Sequence, residues 1–461
     1  PLKDRLSPEE EVAYLKTLVQ RGAAKEYASR WKRVESELAK DPEFALYHAA
    51  YLAVWGPVEG REAARQQLAN AVEDPARRIV ASRLQLLHFA SSGDLAGYAL
   101  ALDRLAQVRQ DRLTDRVGYW RLLVAAGRNA EARELAENEA AVPQNPRDVL
   151  VLAEFCQAIG MTEQAGRLLR QATLKYGGSG IPGTDLLWLA RANVLIRTED
   201  WRGIIEMVEQ VRAFPAALEI LGGWVDAVEG QARHGLDHRD LAKAAFEDAA
   251  RKGFPRPALA FEVGAEMRRL GYYQAALDVL LPLETAFATN VFYWQTLHQV
   301  ADALKQDAVL LLRSAAEVRR LKPDDSAAAF NYAAALLTSR QNPGEAVVLT
   351  RQALDQMRAS PEARVNHCLA LALNHRYEEA SALLATVDPN RFDPSGNTVY
   401  SFAAFSVHLG LKQYDLARLD LDRIRSEHLF PNEVLWLEQM RREYLEPAAG
   451  SPTSLDTRSG T

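Results

Sequence analysis

The chain has 461 residues, 48% hydrophobic and 25% charged, with a net charge of −6 and a pI near 6.0. Such a composition suits a folded protein of two to four ordinary domains or one long repeat array. It lacks the clustered excess of Lys and Arg that phosphate recognition needs, and no stretch approaches the roughly 18 consecutive apolar residues that span a bilayer.

The first segment, "SPEEEVAYLKTLVQRGAAKEYASRWKRVESELAK", opens on Ser7-Pro8-Glu9-Glu10: an N-cap, a first-turn proline and early acids. It predicts a capping helical hairpin over residues 1–42. From there to the C-terminus, apolar residues recur at three- and four-residue spacing, broken by short punctuation such as "GRNAEA", "MTEQA", "GYYQAA", "NPGEA", "HRYEEA" and "KQYDLA". No run of strict alternation argues for a strand, so the expected fold class is all-α. The small or apolar residue that opens the second helix of each pair falls at Ala64, Ala96, Ala132, Ala165, Ile204, Ala242, Ala276, Ala308, Ala346, Ala380 and Ala417. The mean step is about 35 residues, the signature of a solenoid of helical hairpins. Residues 43–145 read as degenerate repeats, 146–430 as the main array and 431–446 as a C-terminal capping helix. Residues 447–461, small and polar, read as a disordered tail.

These repeats resemble the tetratricopeptide repeat. Its pattern of large and small packing residues is matched by Phe330, Ala334, Leu337, Ala346 and Ala353, and by Trp188, Ala192, Leu195, Ile204 and Val208. Leu152, Ala153, Ala165, Leu169 and Ala172 follow it too, as do Gly264, Ala276 and Leu280, and Ala242, Phe246 and Ala249. The resemblance implies a right-handed α-solenoid of about 11–12 stacked helix-turn-helix repeats. It further implies a concave wall built from the first (A) helix of each pair. Carried over residue by residue, that wall would present Arg147, Leu150, Glu154, Leu189, Asn193, Phe261, Arg268, Tyr293, Asn331 and Phe402, with Val399 beside the last. Aromatic area and amide hydrogen bonding of this kind suit a protein or peptide partner. The family's clamp for acidic C-termini is not reproduced: Asn331 and Asn366 stand at two of its positions, but Val399 and Ala403 fill the next, and no Lys accompanies Asn331.

Candidate chemistry is sparse. Gly178, Gly180 and Gly183 in "YGGSGIPGTD" match G-x-G-x-x-G, yet a dinucleotide site needs that motif after a strand, so a loop between repeats is expected. His234 and His238 in "HGLDHRD" have helical metal spacing, but Gly235 predicts a turn with an N-capping Asp and no third ligand. Cys156 and Cys368 fall at packing positions, far apart in sequence, and neither a disulfide nor a thiolate metal site is expected. Adjacent His367 and Cys368 point to different sides of a helix. Glu9-Glu10-Glu11 and Glu378-Glu379 lie at helix starts, where acids favour the macrodipole.

The expected function is therefore a non-enzymatic scaffold or adaptor without cofactor or metal, binding protein or peptide partners and not nucleic acid. The alternative is the soluble region of a membrane-anchored envelope assembly or secretion subunit, its anchor upstream of Pro1. The location stays open between a soluble cytoplasmic protein and the soluble region of a membrane-anchored or periplasmic one. A carbohydrate-binding or degenerate-repeat enzyme ranks third. Arg outnumbers Lys about four to one, a bias that points to a bacterial source.

Overall fold

The computed structural model describes residues 6–139, 145–356 and 360–445. The stretch read as a tail, 447–461, lies outside them. Among the described residues there are 26 α-helices and no strand. The helices Pro215–Leu221 and Pro431–Met440 stand alone; the rest pair into twelve hairpins. Contacts divide the chain into two compact units, Pro1–Ile220 and Leu221–Thr461, so the division falls inside the stretch read as one main array. Each unit contains six hairpins.

Local chemistry explains the helix boundaries. The A helices Pro8–Gln20, Pro42–Trp55, Pro146–Ala158, Pro257–Arg269, Pro361–Leu373 and Pro394–Gly410 all begin with proline. Its fixed φ suits the first turn and its missing N–H is not needed there. Ser7 caps the first helix as its sequence predicts: its Oγ accepts from the Glu10 amide at 3.3 Å, and the Ser7 amide donates to Glu10 Oε2 at 2.8 Å. Between the two helices of most hairpins the chain turns through a residue with positive φ. Glycine serves at Gly22, Gly93, Gly127, Gly160 and Gly271, but Glu199, Asp237, Lys305, Arg340, His375 and Lys412 do the same elsewhere.

The second (B) helices share one register. In all of them but Val58–Glu73, one residue donates a hydrogen bond back to the carbonyl of the residue before the helix, and its side chain is buried. These residues are Tyr27, Tyr98, Ala132, Ala165, Ile204, Ala242, Ala276, Leu311, Ala346, Ala380 and Ala417, none more than 4% exposed. Three expected positions are thereby corrected. Ala64 is buried but lies in the middle of helix Val58–Glu73 and does not open it, Ala96 is exposed and Ala308 half-buried; Tyr98 and Leu311 take the places of the last two. An Ala count misplaced them because in these two hairpins the crossing residue is large. Ala346→Leu should overpack its crossing and lower stability by roughly 1–3 kcal/mol, whereas Ala96→Leu, on an exposed face, should change it by less than about 0.5 kcal/mol. Chemical denaturation of the two variants checks the register; equal losses would refute it.

The stretch "GGWVDAVEGQARHG", which fits the repeat poorly, is the A helix Trp224–Gly235 and its entry. Gly223 donates to the Gly253 carbonyl at 2.8 Å, and a Cβ there would come within 2.2 Å of the Ala249 carbonyl oxygen. Backbone-to-backbone approach, not an insertion, makes this repeat look degenerate.

The last helix departs from expectation. Pro431–Met440 does not stack as a cap beyond the final hairpin; it returns along the A helices of earlier ones. Asn432 Nδ2 donates to the Thr338 carbonyl at 2.6 Å across 94 residues of sequence, and beyond the helix Arg418 Nη2 donates to the Leu445 carbonyl at 3.1 Å.

Candidate partner-binding groove

In the second unit the A helices Ser326–Ser339, Pro361–Leu373 and Pro394–Gly410 lie side by side and floor a cleft of about 370 Å³. Phe330, Ala334 and Thr338 line it from the first helix, spaced one turn apart; Glu362, Val365, Asn366 and Leu369 line it from the second; Ser395, Gly396, Val399 and Phe402 from the third. Asp302 and Lys305, paired at 2.5 Å, border it at the end of helix Val291–Leu304. The remaining wall is Phe392 and Asp393, before helix Pro394–Gly410, and His428, Leu429, Phe430 and Glu433, where the chain returns. The floor is apolar with a single amide, Asn366, and ionised groups stand around the edge. That arrangement offers burial for hydrophobic side chains and orientation from a few polar atoms.

The returning segment is held by aromatic and cationic contacts. The Arg340 guanidinium lies 3.7 Å from the Trp436 ring centroid and 5.6 Å from that of Phe402. Trp436 packs on Phe402 at 5.3 Å and edge-on to Phe405 at 5.8 Å. Burial pushes Arg340 down to about 10, and its buried Nε has no hydrogen-bond partner within the protein; π faces substitute for an acceptor. Lys305 Nζ sits 5.1 Å from the Phe430 ring centroid. Glu433 is 8% exposed and Oε2 accepts from the Phe430 amide at 2.9 Å. Burial raises its carboxyl to about 7, against the pull of that amide, Lys305 and Arg340.

The ten residues expected on the concave wall are distributed unevenly. Leu150, Glu154 and Asn193 come together in a surface hollow of about 400 Å³ in the first unit, between helices Pro146–Ala158 and Thr184–Arg197. Arg121 Nη2 reaches Glu154 Oε1 at 3.1 Å beside it. Arg147 is exposed and Leu189 half-buried, and neither lines that hollow. In the second unit Phe402 lines the cleft, although it is only 3% exposed. Tyr293 is a core residue and not a wall residue: it is fully buried, its hydroxyl donates to the Leu280 carbonyl at 3.1 Å, and burial pushes that hydroxyl up to about 12. Phe261 is half-buried against Phe287 and Tyr293, and Arg268 is half-buried. Asn331 is exposed but does not line the cleft; its neighbours Phe330 and Ala334, expected in the core, do so. The buried residues of that helix are Ala328, Ala329, Ala333, Ala335, Leu336 and Leu337, so Leu337 packs as expected while Phe330 and Ala334 turn to the cleft. Glu433, Trp436 and Arg340 carried no local sequence signal, because they meet only when the C-terminal segment folds back.

The other motifs resolve into structure. The glycine-rich stretch is the connection between helices Thr162–Tyr176 and Thr184–Arg197, and a Cβ on Gly178 would come within 2.4 Å of the Phe214 ring. His234 ends its helix with Nδ1 3.0 Å from the Tyr272 hydroxyl. The expected N-capping Asp is absent: His238 precedes helix Arg239–Lys252 without a side-chain cap, and Asp237 takes the positive-φ turn and pairs with Arg239 Nε at 2.8 Å. Among the described residues no three His, Cys, Asp or Glu side chains converge to hold a metal. Cys156 and Cys368 are free and fully buried, and burial raises their thiols to about 11 and about 12. His367 is buried with Nδ1 2.9 Å from Thr350 Oγ1. No described helix is long and apolar enough to cross a membrane.

No family model matches the sequence, and no curated protein matches it significantly. Among solved structures, the C-terminal part of a TPR repeat-containing protein from Cytophaga hutchinsonii aligns with 59% of this chain and 98% of its own, at 13% identity and a TM-score of 0.34. Yeast Tom70 aligns over 94% and 96% at 14% identity and 0.26. The Cut9–Hcn1 hetero-tetramer of the APC/C aligns over 76% and 67% at 12% identity and 0.29. The described residues form twelve helical hairpins at a repeat near 35 residues, with a buried residue closing the first turn of nearly every B helix, an all-α run of hairpins that resembles tetratricopeptide repeats.

Proposed function

We propose that the chain is a non-enzymatic scaffold that docks a protein or peptide partner on the A helices of its second unit. The observation that supports this is the cleft itself: three adjacent A helices present Phe330, Val365, Val399 and Leu369 as an apolar floor with Asn366 among them, open to solvent and edged by charge. A partner's hydrophobic side chains gain burial there, and Asn366 supplies a donor and an acceptor for backbone groups.

The test is affinity capture with two full-length baits, wild type and Val399→Asp/Asn366→Ala, read by mass spectrometry and followed by titration of each recovered protein. A partner retained by the wild type and lost, or weakened at least about tenfold, with the variant supports docking in the cleft; two charged or truncated contacts of this kind are worth roughly 1.4 kcal/mol or more. Identical binding to both baits would move the interface elsewhere, and the parallel bait Leu150→Asp/Asn193→Ala then examines the hollow of the first unit.

A further inference from the structure

The cleft is bounded by a piece of the same chain that behaves like a docked ligand. Segment Leu429–Leu437 enters with Phe430, 2% exposed, places Glu433 three residues on, and follows with Trp436 and Leu437. Anchors at this spacing are those of an amphipathic helix laid in a groove. The surface they meet is formed by residues distant in sequence, Lys305, Thr338, Arg340 and Phe402.

The contact is incompletely satisfied: Asn432 Oδ1 is buried without a protein partner, and a group left in that state weakens an interface. The segment also leaves the cleft beside it unfilled, so the groove is only partly covered. Side chains of the segment that face away, such as Leu435 at 66% exposed, add nothing to its hold.

We infer that the C-terminal segment Leu429–Leu437 is an intramolecular occupant of the groove, exchanging with a partner helix that carries an aromatic residue, a carboxylate three positions later and a second aromatic three beyond that. The inference rests on the docking reading above and adds to it the partner's chemistry and the regulation of access. A partner of this kind would set one aromatic ring under Lys305 and the other under Arg340, with its carboxylate between the two cations. Because only the released fraction of the chain binds, the apparent dissociation constant is the intrinsic one divided by that fraction.

The probe is a fluorescein-labelled peptide of residues 426–445, titrated by anisotropy against full-length protein. Trp436→Ala, which weakens the resident segment, should bind the peptide at least about tenfold tighter than wild type. Thr338→Cys/Asn432→Cys, oxidised to lock the segment in place, should bind it at least about tenfold more weakly than the same protein in reductant. Cys156 and Cys368 are fully buried and leave the engineered pair to react alone. Equal affinity in the oxidised and reduced states would overturn the inference, as would absence of binding to a Trp436→Ala chain with wild-type helix content and melting. Should that variant lose its fold, the reversible lock decides by itself. A captured partner that binds locked and reduced protein equally, yet is lost with Val399→Asp/Asn366→Ala, would refute exchange while leaving docking intact.

Discussion

Glu433→Gln is expected to stabilise the returned C-terminal helix at pH 8 and to leave it almost unchanged at pH 4. The sign follows from burial. The carboxyl is raised from 4.5 to about 7 in the folded chain, with burial as the largest cause, the Phe430 amide, Lys305 and Arg340 opposing it and Asp302 reinforcing it. Below about pH 4.5 the packed and released forms both hold the proton, and the contribution of this group is fully present. As pH rises through about 7, the released form has already ionised while the packed form must give up its proton inside the groove, and that contribution is lost. The interval between the two values corresponds to about 3 kcal/mol. Glutamine keeps the shape and the oxygen that accepts from the Phe430 amide at 2.9 Å, without the charge to desolvate. Hydrogen exchange of the amides of residues 432–437, corrected for intrinsic rates at each pH, reads the effect directly. Indistinguishable protection of wild type and variant at pH 8 would show that Glu433 is not buried as described.

Arg30→Met should destabilise the first hairpin by about 3–5 kcal/mol. Arg30 and Glu11 are 7% and 5% exposed, and they pair through two bonds: Nε to Oε1 at 2.6 Å and Nη2 to Oε2 at 2.7 Å. Removing the guanidinium strands a buried carboxylate, which costs far more than the pair contributes net. The double variant Glu11→Leu/Arg30→Met should therefore recover most of the loss. The hydrogen bond from Arg30 is also the main reason that Glu11 stays below the usual carboxylate range. Its contribution is present above about pH 4.5 and disappears as acid protonates the folded carboxyl, so the wild type should lose stability on acidification where the double variant does not. Denaturation of the four members of this cycle at pH 7 and pH 3.5 provides the measurement. A double variant as unstable as Arg30→Met alone would place the damage in packing and not in the stranded charge.

These two acids mark the boundary between what the sequence determined about this protein and what only its tertiary structure decided. Helical periodicity, proline at first turns and small residues recurring near every 35 positions are local, because an α-helix repeats every 3.6 residues and a hairpin closes within one repeat. Those features determined the fold class, the number of hairpins and most of the buried B-helix register. The register failed at Ala64, Ala96 and Ala308, with Tyr98 and Leu311 taking the places of the last two, and in one A helix Phe330 and Ala334 line the cleft in place of Asn331. A stripe of alanines looks alike on either side of a helix; the neighbouring hairpin chooses which side is buried. Glu9, Glu10 and Glu11 read alike as helix-start acids, yet Glu10 caps its helix and Glu11 enters a buried ion pair. Glu433 reads as an ordinary first-turn acid until the chain brings it beside Lys305 and Arg340. Asn432 meets Thr338 across 94 residues, and no local pattern encodes a contact of that range, since it depends on where the hairpins of the second unit place their surfaces. Tertiary structure therefore decided most of the cleft's lining beyond Val399 and Phe402, and that the C-terminal segment borders it.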